Sequence, residues 1–181
     1  MYCKGVIFED KNGVCMRLAT EIDFGMIWQV IEEAKELMAL SGRSQWNDKY
    51  PNQSIIRQDI LSHNAFVLAR DGEVAAYGVV VKNGEPHYEH LKIGKWTKTG
   101  DYYVIHRLAV GKHFRGCGIA SFFFHCVEQL CRQTGVASIR VDTNYDNREM
   151  LAVLKKCGFS YCGIVDYPVN GEREVFEKVW D

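Results

Sequence analysis

Proline is nearly missing from this sequence, three residues in 181, and no serine- or proline-rich stretch marks a linker between separately tethered parts. An excess of one charge is missing as well. Lys and Arg number 22 against 23 Asp and Glu, a net charge of -1, so there is no overall field to draw in nucleic acid or an anionic membrane. An anionic ligand must be caught by a local site. No apolar run approaches the roughly 18 residues that would span a bilayer, and the opening MYCKGVIFEDKNGV breaks any signal-peptide core with charge. The seven cysteines form an odd set with no Cys-x-x-Cys, and Cys126/Cys131 and Cys157/Cys162 lack the spacing of zinc ligands. These absences predict a reduced, cytoplasmic chain with no metal, no nucleic acid and no membrane partner. What remains is 47% hydrophobic and 25% charged residues without repeats or low complexity, enough apolar surface for one globular core.

Periodicity sets out the elements. Val14 to Ala19 reads as a strand, and Thr20 with Glu21 and Asp23 behind it reads as the start of a helix. Ile22, Met26, Ile27, Val30, Ile31, Ala34, Leu37 and Met38 then recur at three and four, one buried helical face ending near Gly42. A polar loop, GRSQWNDKYP, precedes a shorter helix over Ile55 to His63. Ala65–Arg70 and Glu73–Lys82 flank Asp71-Gly72, a hairpin signal. Asn83 to Gly100 reads as a polar connection, and its His87-Tyr-Glu-His90 has two metal-like histidines but no third ligand. Tyr102–Val110 is a strand, Gly118 to Thr134 a helix with Phe122, Phe123, Cys126, Val127 and Leu130 on one stripe, and Ser138–Thr143 a strand. A helix over Asn147–Cys157 and strands over Phe159–Asp166 and Glu172–Val179 complete the chain. Residues 1–15 stand ahead of this pattern as an N-terminal extension, disordered or an added strand, and residues 16–181 form the domain. The order β-α-α-β-β-β-α-β-α-β-β predicts an α/β fold with a mixed sheet.

The chemistry concentrates in Ile105-His-Arg-Leu-Ala-Val-Gly-Lys-His-Phe-Arg-Gly-Cys-Gly-Ile-Ala120, a strand that passes through a short turn into a helix beginning with small residues. The first turn of a helix carries N-H groups without partners and the positive end of the macrodipole, so it attracts phosphate. Gly116 and Gly118 let main chain approach phosphate oxygens, and Arg115 adds a charged donor. A plain strand-to-helix turn also uses two glycines, but it does not call for Arg115 and Ala120 at these offsets. The dinucleotide fingerprint fails because Ser121 stands three after Gly118, and the Walker Gly-Lys-Ser/Thr never occurs.

Arg115-x-x-Gly118-x-Ala120 after a strand ending Leu-Ala-Val resembles the acetyl-CoA-binding motif of the GCN5-related N-acetyltransferase (GNAT) superfamily. The resemblance extends from about Met16 to Trp180 and includes Asn144, Asn147 and the later Cys157-Gly158-Phe159. It implies a GNAT-like single-domain fold, a mixed central sheet of about seven strands with helices on both faces, and acetyl-CoA as co-substrate. It further implies that main chain at Leu108, Ala109 and Val110 pairs with the pantetheine arm. Arg115, Gly116, Cys117, Gly118, Ile119, Ala120 and Ser121 would surround the pyrophosphate, and Asn144 and Asn147 would touch the coenzyme. Asn147 also suits a helix N-cap. The implied activity is an N-acetyltransferase acting on a primary amine, a small molecule first of all. A non-catalytic acyl-CoA-binding module and a protein or peptide amine acetyltransferase are the alternatives, and a homodimer is compatible with the family.

An alkylammonium with a pKa of about 10 must lose a proton before it attacks a thioester, and a side chain titrating near neutrality suits that work. His106 lies four residues before Val110, where many family members place glutamate and the arylalkylamine acetyltransferases a histidine, so His106 is the candidate base; a hydrogen-bonded core histidine is the other reading. Strict alternation would put Val104, His106 and Leu108 on one face of the strand and Ile105 and Arg107 on the other. Arg107 reads as an ion-pair or substrate-carboxylate partner. The sequence departs from the family at Leu154, where many members carry a tyrosine acid. Tyr145, Tyr167, water or no acid would serve instead, since a thiol of pKa about 8.5 leaves without full protonation. Main-chain N-H of Leu108 or Ala109 would steady the charge on the thioester oxygen. Trp46, Asp48 and Tyr50 in the polar loop are candidate substrate contacts suited to a cationic or aromatic amine, or else they cover the core.

Overall fold

The computed structural model describes residues 6–10, 13–43, 45–169 and 171–180. The parts of the N-terminal extension at 1–5 and 11–12, with Cys3, and residues 44, 170 and 181 lie outside the described residues. The fold is α/β, a mixed sheet with flanking helices. Its strands are β1 (Val6–Glu9), β2 (Cys15–Leu18), β3 (Ala65–Arg70), β4 (Glu73–Lys82), β5 (Ile93–Gly94), β6 (Tyr103–Val110), β7 (Ser138–Thr143), β8 (Ser160–Tyr167) and β9 (Gly171–Val179). Its helices are α1 (Phe24–Leu40), α2 (Gln53–Leu61), α3 (Ile119–Thr134) and α4 (Arg148–Lys156). About seven strands are expected from the sequence, and nine are found among the described residues; β1 and the two-residue β5 are the additions. Both are too short for their periodicity to stand out.

The chain divides into two compact units, residues 1–80 with 107–126 and residues 81–106 with 127–181. In the first unit β1, β2, β3 and β4 follow one another as an antiparallel meander. Asp71 and Gly72 both take positive φ at the hairpin tip, as the Asp-Gly pair predicts. Met16, Ile27, Ile31, Ile56, Val67, Leu68, Tyr77 and Phe123 are fully buried here. Phe123 lies so close over Gly78 that a Cβ on that glycine would sit 2.6 Å from the ring. A hydrogen at this position is what allows α3 its approach to β4.

The entry to α1 is fastened by charge. Arg17 forks onto Asp23 through two bonds of 2.7 Å, and the same carboxylate accepts from Thr20 N (2.8 Å) and Thr20 Oγ1 (2.9 Å). Burial works to raise the Asp23 pKa, but the bonds from Arg17 and Thr20 outweigh it and hold the carboxyl below its ordinary value. A depressed carboxylate adds stability that is present above the unfolded pKa of about 3.9 and is lost as pH falls through the folded value. Acid unfolding followed by circular dichroism is therefore expected to begin below about pH 4, and Asp23→Asn is expected to flatten the slope of stability against pH there. Equal slopes in the two proteins would remove Asp23 from the explanation.

In the second unit β6 runs parallel to β7, with pairs Tyr103↔Ile139 and Val104↔Arg140, and the remaining pairs β7–β9, β9–β8 and β8–β5 are antiparallel. The connection expected to be polar and weakly structured is instead an ordered cover. A 3-10 turn at Pro86–Glu89 buries Tyr88, which packs with Tyr102, Val104, Cys162, Val165 and Val175. Trp96 Nε1 donates to Tyr88 O at 2.8 Å. Scattered aromatics without a period carry this packing, so a periodicity scan passes over it.

A buried ion pair spans β7 and β9. Glu177, its side chain wholly excluded from water, accepts from Arg140 Nε (2.9 Å), Ser138 Oγ (2.6 Å), Thr97 N (2.6 Å) and Lys98 N (3.2 Å). The Arg140 guanidinium also donates to Lys98 O at 2.8 Å and lies over the rings of Trp96 and Tyr102.

Candidate functional site

In the first unit the residues after β6 form a turn in which Gly116, Cys117 and Gly118 are exposed. Gly111 N donates to Ala75 O at 2.9 Å, a 3-10 turn at Lys112–Phe114 follows, and Lys112 N is held by Glu33 Oε2 from α1 at 2.6 Å. Burial pushes the Glu33 pKa upward, but the Lys112 N-H, the Gln29 amide and the charges of Arg115 and His113 prevail and keep it ionised. A cavity of about 360 Å³ opens between α1 and this turn. Arg115 folds back through Nε onto Val110 O at 3.1 Å, and its buried Nη2 has no partner among the described residues.

Gly116 and Gly118 both sit in the left-handed region, at φ 76° and 79°, and a Cβ on either would meet nothing within 4 Å. Conformation, with clear space in front, is what requires glycine here. The helix closes its first bond from Phe122 N to Gly118 O at 2.9 Å, so the N-H groups of Ile119, Ala120 and Ser121 precede the ladder. Cys117 is exposed, with its thiol near Arg115 O. A diphosphate suits this arrangement: main-chain N-H groups ahead of the helical ladder, the positive end of a helix of 16 residues, and an arginine nitrogen with no partner among the described residues.

Arg107 breaks the expected alternation of the strand. Its φ of 52° is rare for a residue with a side chain and interrupts the extended backbone directly after His106. The guanidinium forks onto Asp59 of α2 (Nε to Oδ2, 2.9 Å; Nη2 to Oδ1, 2.7 Å), and Nη1 donates to Tyr50 Oη at 3.2 Å. Tyr77 donates to Asp59 Oδ2 at 2.7 Å. Burial and the adjacent Asp59 push the Tyr77 hydroxyl above its ordinary pKa. Of the two roles expected for Arg107, the ion pair is the one formed. In the loop before α2, Trp46 is 7% exposed, Asp48 is exposed, and Tyr50 holds Arg107. Of the three, Trp46 is buried, Tyr50 half-buried and Asp48 exposed.

In the second unit His106 is half-buried, its Nε2 3.7 Å from Glu85 Oε2, with side-chain exposures of 18% and 13%. Tyr88 and Tyr167 both donate to Asp142 Oδ1, at 2.7 and 3.1 Å. Burial, followed by the charge of Asp142, raises the pKa of both hydroxyls. Asn147 caps α4 by accepting from Met150 N at 3.3 Å and donates to Thr143 Oγ1 at 3.1 Å. Its cap role is therefore formed, and Asn144 lies half-buried three residues earlier. Tyr145 is 77% exposed, and Leu154 is fully buried.

Asp59, Glu85 and Glu33 carry no assignment from the sequence, and the structure gives each a fixed partner. Asp59 is spaced as part of a helical face, and nothing local to Glu85 or Glu33 announces a role. Among the described residues, no group of three or more His, Cys, Asp or Glu is placed to hold a metal ion. Cys126 and Cys131 are buried thiols pushed up to about 12.

The sequence model of the acetyltransferase (GNAT) family matches residues 28–159. Among solved structures, an acetyltransferase of the GNAT family from Streptococcus agalactiae 2603 is 34% identical, with a TM-score of 0.85 over 96% of this chain and 99% of that one. A protein from Staphylococcus aureus MU50 is 25% identical, with a TM-score of 0.68 over 91% and 97%. A GNAT-family acetyltransferase from Listeria monocytogenes 4b F2365, 21% identical with a TM-score of 0.71 over 97% and 100%, shares the fold. No curated protein matches the chain.

Proposed function

We propose that this chain, which belongs to the acetyltransferase (GNAT) family, moves an acetyl group from acetyl-CoA to the primary amine of a small molecule by direct attack. The observation that carries the reading is the turn after β6, where two left-handed glycines with open space before them, a helix start and the unpartnered Nη2 of Arg115 converge. The thioester of acetyl-CoA supplies the activated acyl group when bound. Main chain from Arg115 to Ser121 would hold the diphosphate, main chain from Leu108 to Val110 the pantetheine, and Asn144 and Asn147 a further part of the coenzyme. His106 would take the proton from the ammonium. Direct attack by the amine needs no acyl-enzyme, which leaves Cys117 as a small residue of the turn.

Two observations keep a second reading in view, a binding module that holds acyl-CoA without turnover. Leu154 is a buried hydrocarbon, and Tyr145 is exposed, so neither brings a fixed acid to the departing thiol. The two readings part on thiol release from acetyl-CoA, followed with a chromogenic thiol reagent over a panel of tyramine, spermidine, lysine and an alanyl peptide. Release that depends on amine supports the enzyme, and a peptide as best acceptor would replace the small-molecule assignment. The odd set of seven cysteines with no Cys-x-x-Cys supports a cytoplasmic setting for the activity.

The coenzyme site has its own test. Gly118→Val puts a β-branched side chain on a backbone at φ 79° and into the space in front of the turn. Calorimetric titration with coenzyme A is expected to show at least about tenfold weaker binding, close to 1.4 kcal/mol. An absence of heat and of thermal protection in the unaltered protein would overturn the assignment itself.

A further inference from the structure

Glu85 lies within ion-pair range of His106 and is itself held rigidly. Its Oε1 accepts from His87 N at 3.1 Å and lies 2.7 Å from His87 Nδ1, which fixes the carboxylate plane and leaves Oε2 directed at His106 Nε2, 3.7 Å away. The backbone of the same residue is tied down as well, since Glu85 O accepts from Tyr88 N at 3.1 Å and from Tyr102 Oη at 3.4 Å. A carboxylate this well seated beside an imidazole does two things. It limits how the ring can turn, and it stabilises the ring when it becomes charged.

We infer that Glu85 is the positioning residue of the acetyl transfer, holding the His106 ring in place and balancing its charge when the ring takes up a proton. This rests on His106 as the base of the proposed transfer. In the step it serves, a proton passes from the ammonium to the His106 ring and the freed lone pair forms the N-C bond. The C-S bond breaks with its electron pair on sulfur, the acylated nitrogen gives its second proton to that thiolate, and the imidazolium then releases the first to water. While that proton is on the ring, the positive charge lies against Glu85. Other titratable groups around the carboxylate are His87 and Tyr88 of the same turn, Tyr102 before β6, and Tyr167 on β8, whose ring lies tilted against His87 at 4.7 Å between ring centres. Burial and the charge of Asp142 raise the hydroxyls of Tyr88 and Tyr167 well above their ordinary values.

The test is a set of four variants assayed by thiol release with the best amine of the panel. Glu85→Gln is expected to lower kcat by about 10- to 100-fold with KM for acetyl-CoA unchanged. It is also expected to move the acidic limb of the pH profile to lower pH, because an imidazolium without its carboxylate loses its proton more readily. Glu85→Asp is expected to restore part of the rate. In a His106→Ala background, adding Glu85→Gln is expected to change nothing further. Loss of the same size in both backgrounds, or an acidic limb that does not move, would overturn the coupling. Full turnover in His106→Ala would overturn the base beneath it, a different outcome because it appears in the single variant. Coenzyme A titration of each variant reports whether the fold is kept.

Discussion

His106→Gln is expected to lower amine-dependent turnover by about 100- to 10,000-fold, the range supplied by a positioned general base. Coenzyme A should bind as before, because the donors attributed to the diphosphate lie on the turn from Arg115 to Ser121 and not on the histidine. Glutamine keeps the size and hydrogen-bonding capacity of the side chain but accepts no proton at neutral pH, so it separates proton removal from packing. The loss should shrink at high pH, where more of the amine is already free. Turnover within about twofold of the unaltered protein at pH 7, with thermal stability kept, would return His106 to the role of a hydrogen-bonded residue within its unit.

The largest expected effect on stability lies at Glu177. Removing its carboxylate by Glu177→Ala strands the Arg140 guanidinium, 7% exposed at its side chain, and leaves Thr97 N, Lys98 N and Ser138 Oγ without their acceptor. A buried charge that loses its partner destabilises by about 3 to 5 kcal/mol. That is a large share of the roughly 5 to 15 kcal/mol by which a domain is stable. Urea unfolding should show the midpoint falling steeply in Glu177→Ala and less in Glu177→Gln, which keeps one oxygen acceptor. A loss below about 1 kcal/mol in the alanine variant would mean that water reaches Arg140 and replaces the pair.

Much of the fold could be read from the sequence because its longer elements state their period. The hairpin at Asp71-Gly72 and β7 match the structure residue for residue, and α1, α3 and α4 agree to within a few positions. The glycine turn was legible for a different reason: left-handed backbone at Gly116 and Gly118 admits few other residues, so the geometry leaves its mark in residue type. Arg107 shows where reading stops. Its strand looks regular in sequence, and only the structure reveals a left-handed residue whose guanidinium is held by Asp59, 48 positions away in the chain. Glu85 is similar, since its partner His106 is separated from it by a connection whose order comes from Tyr88 and Trp96 packing at no fixed interval. Local rules describe elements, whereas pairs of charges are chosen by tertiary contact.

Arg107, Asp59, Tyr77 and Tyr50 have a consequence for descent. Each of the four is satisfied by the others, so an isolated replacement passes through a protein with an unmatched charge or hydroxyl in a dry setting, while a joint exchange for hydrocarbon need not. Drift at these positions is therefore blocked step by step but open to the quartet as a whole, and a lineage that has lost one member should have lost its companions too.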